Sequence, residues 1–430
     1  MIDTAYVKLW GERVGAIAWN LESEVGSFQY EPAFLLRGIE LSPMHLPITN
    51  AETRVFDFPE LSKIATFKGM PGLVADILPD KYGNAIIDSW LAKQGRPTGS
   101  LNPVETLCFI GKRAMGALEI EPSVLSTQGR TSKIELDSLI TVIGNILAGR
   151  AAFSTEIEAD EEKAMLDILK IGTSAGGARA KAVIAYNAKT KEIRSGQTTA
   201  PRGFEHWLIK FDGVHDAQFG ESTGYGRIEM AYYLMATAAG VQMEKCQLLE
   251  ENGRAHFMTK RFDRIGSSEK VHMQTFCALR HFDFNEVTSY SYEQLFETMR
   301  MLGLTYPQAD QMYRRMIFNV LSKNCDDHTK NFSFLMDKKG TWSLAPAYDI
   351  CHAYRPDSIW VSQHALSLNG KRRDFTLKDF LAVAEEMNIK KPKQIIAEVK
   401  EAIGNWRTFA KEVDVQPTKI KAIEHTFVKV

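Results

Sequence analysis

The chain is poor in cysteine, nearly neutral in net charge and without a long apolar run. Its five cysteines, Cys108, Cys246, Cys277, Cys325 and Cys351, are widely spaced, odd in number and free of any C-x-x-C pair. That argues against a disulfide framework or a cysteine-based zinc site, and reduced thiols in a cytoplasmic protein are the expectation. A formal net charge of −1 gives no global field to drive nucleic-acid or membrane binding. Nowhere do about 18 apolar residues run together, and Met1–Tyr6 lacks a basic and apolar leader pattern. No membrane partner is expected. With 44% hydrophobic and 24% charged residues in a length of 430, neither disorder nor a repeat array is indicated, and two or three domains are.

What is present divides along the chain. Residues 1–125 carry short strand patterns, Ala5–Trp10 and Val14–Trp19, and Gly- and Pro-rich turns, as a small α+β module would. In residues 126–262, helical spacing of Leu136, Leu139, Ile140, Ile143 and Leu147 precedes a Gly-rich stretch, Gly172–Lys181, and three strand patterns. One of these, Trp207–Phe211, places Lys210 in an otherwise apolar run, and Glu229 is read as opening a helix that stops at Gly240. Residues 263–430 are mainly helical, with Leu377, Phe380, Leu381 and Ala384 expected on one face. Strands first and helices later predict an α+β, two-lobed, protein-kinase-like fold with an N-terminal α+β module and a mainly helical C-terminal lobe.

The strongest chemical signal is Asp326-Asp327-His328-Thr329-Lys330-Asn331, followed beyond a short hairpin by Asp349. Phosphoryl transfer needs an acid to orient a hydroxyl, oxygen ligands for magnesium and a cation near the transferred group. Asp326 and Lys330 fit the catalytic roles, and Asn331 and Asp349 fit the metal. His328 either touches the nucleotide or buttresses the loop. A solvated polar turn is the competing reading of the loop alone, weakened by the second acid across the hairpin.

Around Ser174, Ala175, Gly176, Gly177, Ala178 and Lys181, backbone N–H groups can cradle a phosphate, although this is not the G-x-x-x-x-G-K-[ST] pattern and a plain tight turn competes. Lys210 would contact nucleotide phosphates and pair with Glu229; alone, the two also read as a solvated edge-strand Lys and a helix-start acid. The backbone of Lys260-Arg261-Phe262 is placed to bond an adenine edge. Basic clusters Lys371–Arg373 and Lys390–Lys393 read as solvated faces.

In order, Ser174-x-x-Gly177-Ala178-x-x-Lys181, Trp207-Leu208-Ile209-Lys210, Lys260-Arg261-Phe262-Asp263-Arg264, His272-Met273-Gln274-Thr275, Asp326-x-His328-x-Lys330-Asn331 and Pro346-x-Tyr348-Asp349-Ile350 resemble the HipA family of bacterial serine/threonine kinases. Ala365–Lys371 and the N-terminal Leu78-Pro79-Asp80 and Gly116-Ala117 extend the resemblance over nearly the whole chain. It implies ATP and Mg²⁺ as cofactors, Asp326 as the catalytic acid, Asn331 and Asp349 as metal ligands, Lys210 on the nucleotide phosphates, and autophosphorylation of Ser174 as an off-switch. It also implies a toxin of a toxin–antitoxin pair with a helix-turn-helix, HipB-like antitoxin, operator DNA reached through it, and a protein substrate; the best-known type phosphorylates an aminoacyl-tRNA synthetase. Asp327 stands where a small residue is common in the family. Two other readings stay open: a small-molecule phosphotransferase, and a co-repressor subunit without turnover.

Overall fold

The structure, a computed structural model, describes residues 2–124, 133–147, 167–169, 171–172, 179–195, 199–216, 220–221 and 223–430. The chain forms two compact units, Met1–Thr223 with Gln247–Met273, and Gly224–Cys246 with Gln274–Val430. Among the described residues no helix is long and apolar enough to cross a membrane.

The first unit contains two five-stranded sheets. Strands β1 (Thr4–Leu9), β2 (Glu12–Asn20), β3 (Val25–Tyr30), β4 (Val55–Phe56) and β5 (Leu118–Glu121) lie in the order β4-β3-β2-β1-β5. Period-two alternation sets the buried face: Ala5, Val7 and Leu9 point inward and Tyr6 outward. Gly15 is required on β2, because a Cβ there would stand 2.2 Å from the Gln29 carbonyl oxygen on β3. Two helices lie between β4 and β5, each started by a side-chain cap on an orphan N–H. Asp80 accepts from Gly83 N at 2.9 Å before Lys81–Lys93, and Asn102 accepts from Glu105 N at 2.7 Å before Pro103–Ile110.

The second sheet uses β6 (Lys181–Tyr186), β7 (Ile193–Ser195), β8 (Glu205–Lys210), β11 (Cys246–Glu251) and β12 (Arg254–Lys260) in the order β11-β12-β8-β6-β7, while β9 (His215–Asp216) and β10 (Gly220–Glu221) form a separate pair. All six residues of β6 are buried, and after Lys181 it reads as a continuous apolar run, Ala182–Tyr186, rather than an alternating one. Ala182, Ile184, Trp207, Ile209 and Met258 from this sheet share a core with Ile86, Leu139 and Ile143 from two helices. Each Ile, Leu or Met among them contributes about 1.5–3 kcal/mol on burial, and this makes the sheet a stiff platform for the lysines it carries.

The second unit is mainly helical. Tyr225–Ala238 begins four residues before Glu229, which is buried one turn inside the helix. The sequence reading placed Glu229 at the helix start; Gly224, in the left-handed region at φ 80°, takes the cap instead. This helix belongs to the second unit because Tyr232 packs on Trp406 at 5.3 Å and its hydroxyl donates to the Ser322 carbonyl at 2.6 Å. Near the C-terminus the buried face is Phe380, Val383 and Ala384, and Leu377 is 42% exposed. Leu377 drops out of the expected face because Asp379 turns inward, accepting from Thr376 N and Asn369 Nδ2 at 2.8 and 2.9 Å.

Candidate active site

The catalytic-loop candidate sits after the helix Tyr306–Leu321, whose buried Met312, Met316 and Val320 hold it in the unit's core. The chain leaves that helix through Lys323, in the left-handed region at φ 58°, and Cys325 N then bonds the Ala353 carbonyl at 3.0 Å. From Asp326 to Asn331 the loop is tied at each step. Asn331 Nδ2 donates to the Asp326 carbonyl at 2.6 Å, Asn331 N to the His328 carbonyl at 2.9 Å, and Thr329 Oγ1 to the Phe282 carbonyl at 3.0 Å.

These ties leave Asp326 presented. Its side chain is 48% exposed, with His328 Nε2 3.8 Å from Oδ1. His328 also packs against Phe284, ring centroids 5.3 Å apart, and the Lys330 ammonium lies over the same ring at 4.6 Å. A cation over an aromatic face keeps its charge while losing freedom. Lys330 and His328, two residues of the same loop, thus share the Phe284 ring.

The hairpin expected after the loop is Ser333–Met336 paired with Trp342–Leu344 in the register Phe334↔Leu344. It returns the chain to the loop through Tyr348, whose hydroxyl donates to the Lys330 carbonyl at 2.7 Å and also meets Ser333 Oγ. Asp349, the next residue, holds a left-handed backbone at φ 55°, a conformation that costs a non-glycine residue energy and persists where the surroundings impose it. The segments carrying Asn331 and Asp349 are thus joined one residue away from each. With its amide nitrogen on the Asp326 carbonyl, Asn331 has its side-chain oxygen to offer a cation. Among the described residues no group of three His, Cys, Asp or Glu forms a metal cluster. One carboxylate and one amide oxygen suit magnesium, which takes few protein ligands and completes its shell with water and phosphate oxygens.

In the first unit, β6 and β8 pair with Lys181 directly opposite Lys210, and β12 places Phe257 opposite Lys210 on its other side. Directly opposed residues share a face, and Lys210 Nζ stands 5.8 Å from the Phe257 ring centroid. Lys210 is therefore on an interior strand, which removes the edge-strand reading, and two lysines distant in sequence become a cross-strand pair. The Lys260 ammonium meets Glu205 at 2.6 Å, and Arg261 N is used by the His206 carbonyl at 3.0 Å, so that donor is not open to an adenine edge; Phe262 follows, half-buried. Ser174, Ala175, Gly176, Gly177 and Ala178 lie outside the described residues.

Two residues escaped sequence reasoning. Asp327 is buried and receives Tyr292 Oη at 2.7 Å, Ala365 N at 2.8 Å and His364 Nδ1 at 2.8 Å. Burial pulls the His364 pKa down, but the charge of Asp327, the Cys325 thiol and their hydrogen bonds outweigh it and push it up to about 10. His364 sits in a plain Gln-His-Ala-Leu context, so only the neighbouring carboxylate pair in the loop hinted at a buried partner.

The model of the HipA N-terminal domain matches residues 5–121, and that of the HipA-like C-terminal domain matches residues 173–406, more than half of the chain. Two proteins of Sinorhizobium fredii are similar over part of their length. "Putative kinase Y4mE" is 29% identical over 27% of this chain and 30% of its own, and "Putative kinase Y4dM" is 27% identical over 34% of this chain and 36% of its own. The chain thus spans about a third of the length of the curated relatives it matches. Among solved structures, the complex of the Shewanella oneidensis toxin–antitoxin system HipA and HipB with operator DNA contains a chain that superposes with a TM-score of 0.67. The alignment covers 98% of this chain and 95% of that one at 16% identity, a likeness of fold. With both domain models matched in order, the chain belongs to the HipA family.

Proposed function

We propose that the protein is an ATP- and Mg²⁺-dependent serine/threonine protein kinase, the toxin of a pair whose other member is a small helix-turn-helix antitoxin bound to operator DNA. The observation that carries this reading is the loop itself: a half-exposed Asp326, Lys330 held over Phe284 in the same loop, and Asn331 and Asp349 brought onto adjoining backbone. Family membership and the solved relative's HipB and operator DNA support the partner class.

In this reading Asp326 accepts the hydrogen bond of the acceptor hydroxyl and orients it for in-line attack. Lys330 balances charge on the transferred phosphoryl group, and Lys181 and Lys210 attract the remaining phosphates. Asn331 and Asp349 would hold magnesium, which supplies neutralisation of phosphate charge when bound. Ser174 is the proposed autophosphorylation site, where a dianionic group would repel the phosphates of a second nucleotide. Catalysis is then mostly positioning and charge placement.

Incubation with labelled ATP and Mg²⁺ is expected to place label on Ser174. Asp326→Asn should lower transfer about 10²–10⁴-fold, the usual contribution of a positioned acid or base, while its thermal melt stays that of the unchanged protein. Label surviving in Asp326→Asn would remove Asp326 from the chemistry; label appearing in EDTA would remove the metal.

A further inference from the structure

Consecutive residues of the loop have opposite surroundings. Asp326 is half in solvent, whereas the side chains of Asp327 and His364 are both wholly buried. An ionised carboxylate in an interior is costly unless paired and fully hydrogen-bonded. Here both oxygens are occupied, Oδ2 by Tyr292 Oη and His364 Nδ1, and Oδ1 by Ala365 N.

The partners are themselves immobilised. Tyr292 Oη accepts from Asn319 Nδ2 at 3.2 Å, and Asn319 Oδ1 accepts from Asn324 Nδ2 at 3.0 Å, two residues before Asp326. Tyr292 opens a helix closed at its start by a reciprocal cap, Ser291 Oγ accepting from Gln294 N and Ser291 N donating to Gln294 Oε1. His364 N bonds the Arg372 carbonyl at 3.0 Å, and its ring packs on Phe375 at 5.5 Å. After Ala365, Leu366 and Ser367 pair in parallel with Tyr290 and Ser291. Two separate stretches of chain, at Tyr292 and at His364–Ala365, therefore converge on one wholly buried carboxylate.

The peptide unit between Asp326 and Asp327 is planar, and their Cα atoms are about 3.8 Å apart. Fixing the Asp327 side chain from below, together with Asn331 on the Asp326 carbonyl from beside, leaves Asp326 little beyond its own side-chain torsions. We propose that His364 is a positioning residue for Asp326, acting through the buried His364–Asp327 pair and never touching nucleotide or acceptor. This rests on the reading of Asp326 as the catalytic aspartate.

The test uses the full chain with Mg-ATP, reading ADP release against ATP concentration, nucleotide affinity by calorimetry with a non-hydrolysable ATP analogue, and folding by circular dichroism. Its first arm compares the unchanged protein with Asp326→Asn; equal ADP release there removes Asp326 from the chemistry, and this inference with it. Where that arm succeeds, His364→Ala is expected to lower kcat about 10- to 100-fold, the size of a misplacement on the order of 1 Å at a reacting group. KM for ATP and analogue affinity should stay within about twofold, since the nucleotide contacts are elsewhere. His364→Asn, whose amide can donate from near the position of Nδ1, should recover most of the loss. Tyr292→Phe, which removes one contact of three, should fall between.

If His364→Ala fails to fold, His364→Asn and Tyr292→Phe still decide the matter. A folded His364→Ala with unchanged kcat overturns the proposal. So does a fall in analogue affinity that matches the fall in kcat, or an Asn variant no better than Ala.

Discussion

Each unit buries a carboxylate among cations and backbone donors, and the two differ in what they hold. In the first unit Asp263 is fully buried and receives Arg261 Nε and Nη2, Arg264 Nη1 and Gly116 N, all within 2.8 Å. Arg264 also donates to the Gly116 and Ala114 carbonyls at 2.9 and 3.0 Å. Gly116 is in the left-handed region at φ 74°, and a Cβ there would stand 2.9 Å from Met273 N. This cluster joins the loop ahead of β5 to the segment after β12, two parts of the unit far apart in sequence. In the second unit Asp327 has one imidazole, one hydroxyl and one N–H, and what it fixes is a six-residue loop. The first arrangement is a joint between substructures, and the second is a foundation under a single side chain. A buried charge by itself therefore does not mark a functional position; what matters is which atoms sit one peptide away.

The comparison breaks most readily at Asp263. Burial pushes this carboxyl's pKa up, but the Arg261 and Arg264 guanidiniums beside it hold it well below the ordinary carboxylate range, so it is ionised at neutral pH. Asp263→Asn would leave two buried guanidiniums without their counter-charge, a loss of about 3–5 kcal/mol. Urea unfolding should show it as a large drop in midpoint, with the turnover of whatever remains folded unchanged. Asp327→Asn is expected to show the reverse weighting, a smaller midpoint change and a larger fall in turnover. Equal effects of the two variants on both measurements would erase the distinction between joint and foundation.

pH sharpens the same contrast, because His364 titrates where Asp263 does not. The groups facing His364 are Asp327, the Cys325 thiol, the Tyr292 hydroxyl beyond Asp327, and Arg372, whose Nη1 reaches the His364 carbonyl at 3.5 Å. Its pKa is raised from 6.5 to about 10 in the folded chain. The folded state then binds more protons than the unfolded state between those values, so the stability contributed by the charged pair is complete below about 6.5 and is lost as pH rises through 10. Urea midpoints of the unchanged protein and of His364→Asn should accordingly converge from pH 7 to pH 10. A constant separation over that range would mean that His364 is not charged in its pocket.

Much of this was legible from residue order. Local patterns carried β1, β2, β6, β8 and β12, the helix Leu136–Leu147 and the hairpin after the loop, because alternation, caps and turn residues act within a few positions. The Asp326 loop and Asp349 could be paired on paper because a short hairpin permits only one return. What could not be read depends on distant partners. The Lys181 and Lys210 pairing follows from the register of β6 on β8, which no local pattern specifies. Glu229 was misplaced because Gly224, an unremarkable glycine in sequence, caps its helix a turn earlier. Nothing local marked Asp327 as a buried acceptor, because its three partners, at 292, 364 and 365, lie about 35 residues or more away on either side.

The smallest expected effect separates the ion pair from the helix that supports it. Ser291→Ala removes the acceptor for Gln294 N at 3.2 Å, and loss of such a cap costs about 1 kcal/mol of stability. It leaves the Tyr292 hydroxyl on Asp327, because Tyr292 itself is fully buried and the helix behind it is anchored by Leu295, Phe296 and Met299. Thermal melting should therefore fall by a few degrees while kcat for ADP release stays within about twofold of the unchanged protein. Should Ser291→Ala slow turnover as much as His364→Ala, the register of the whole helix would be what orients Asp326, and the hydrogen bonds to Asp327 would be a consequence of that register rather than its purpose.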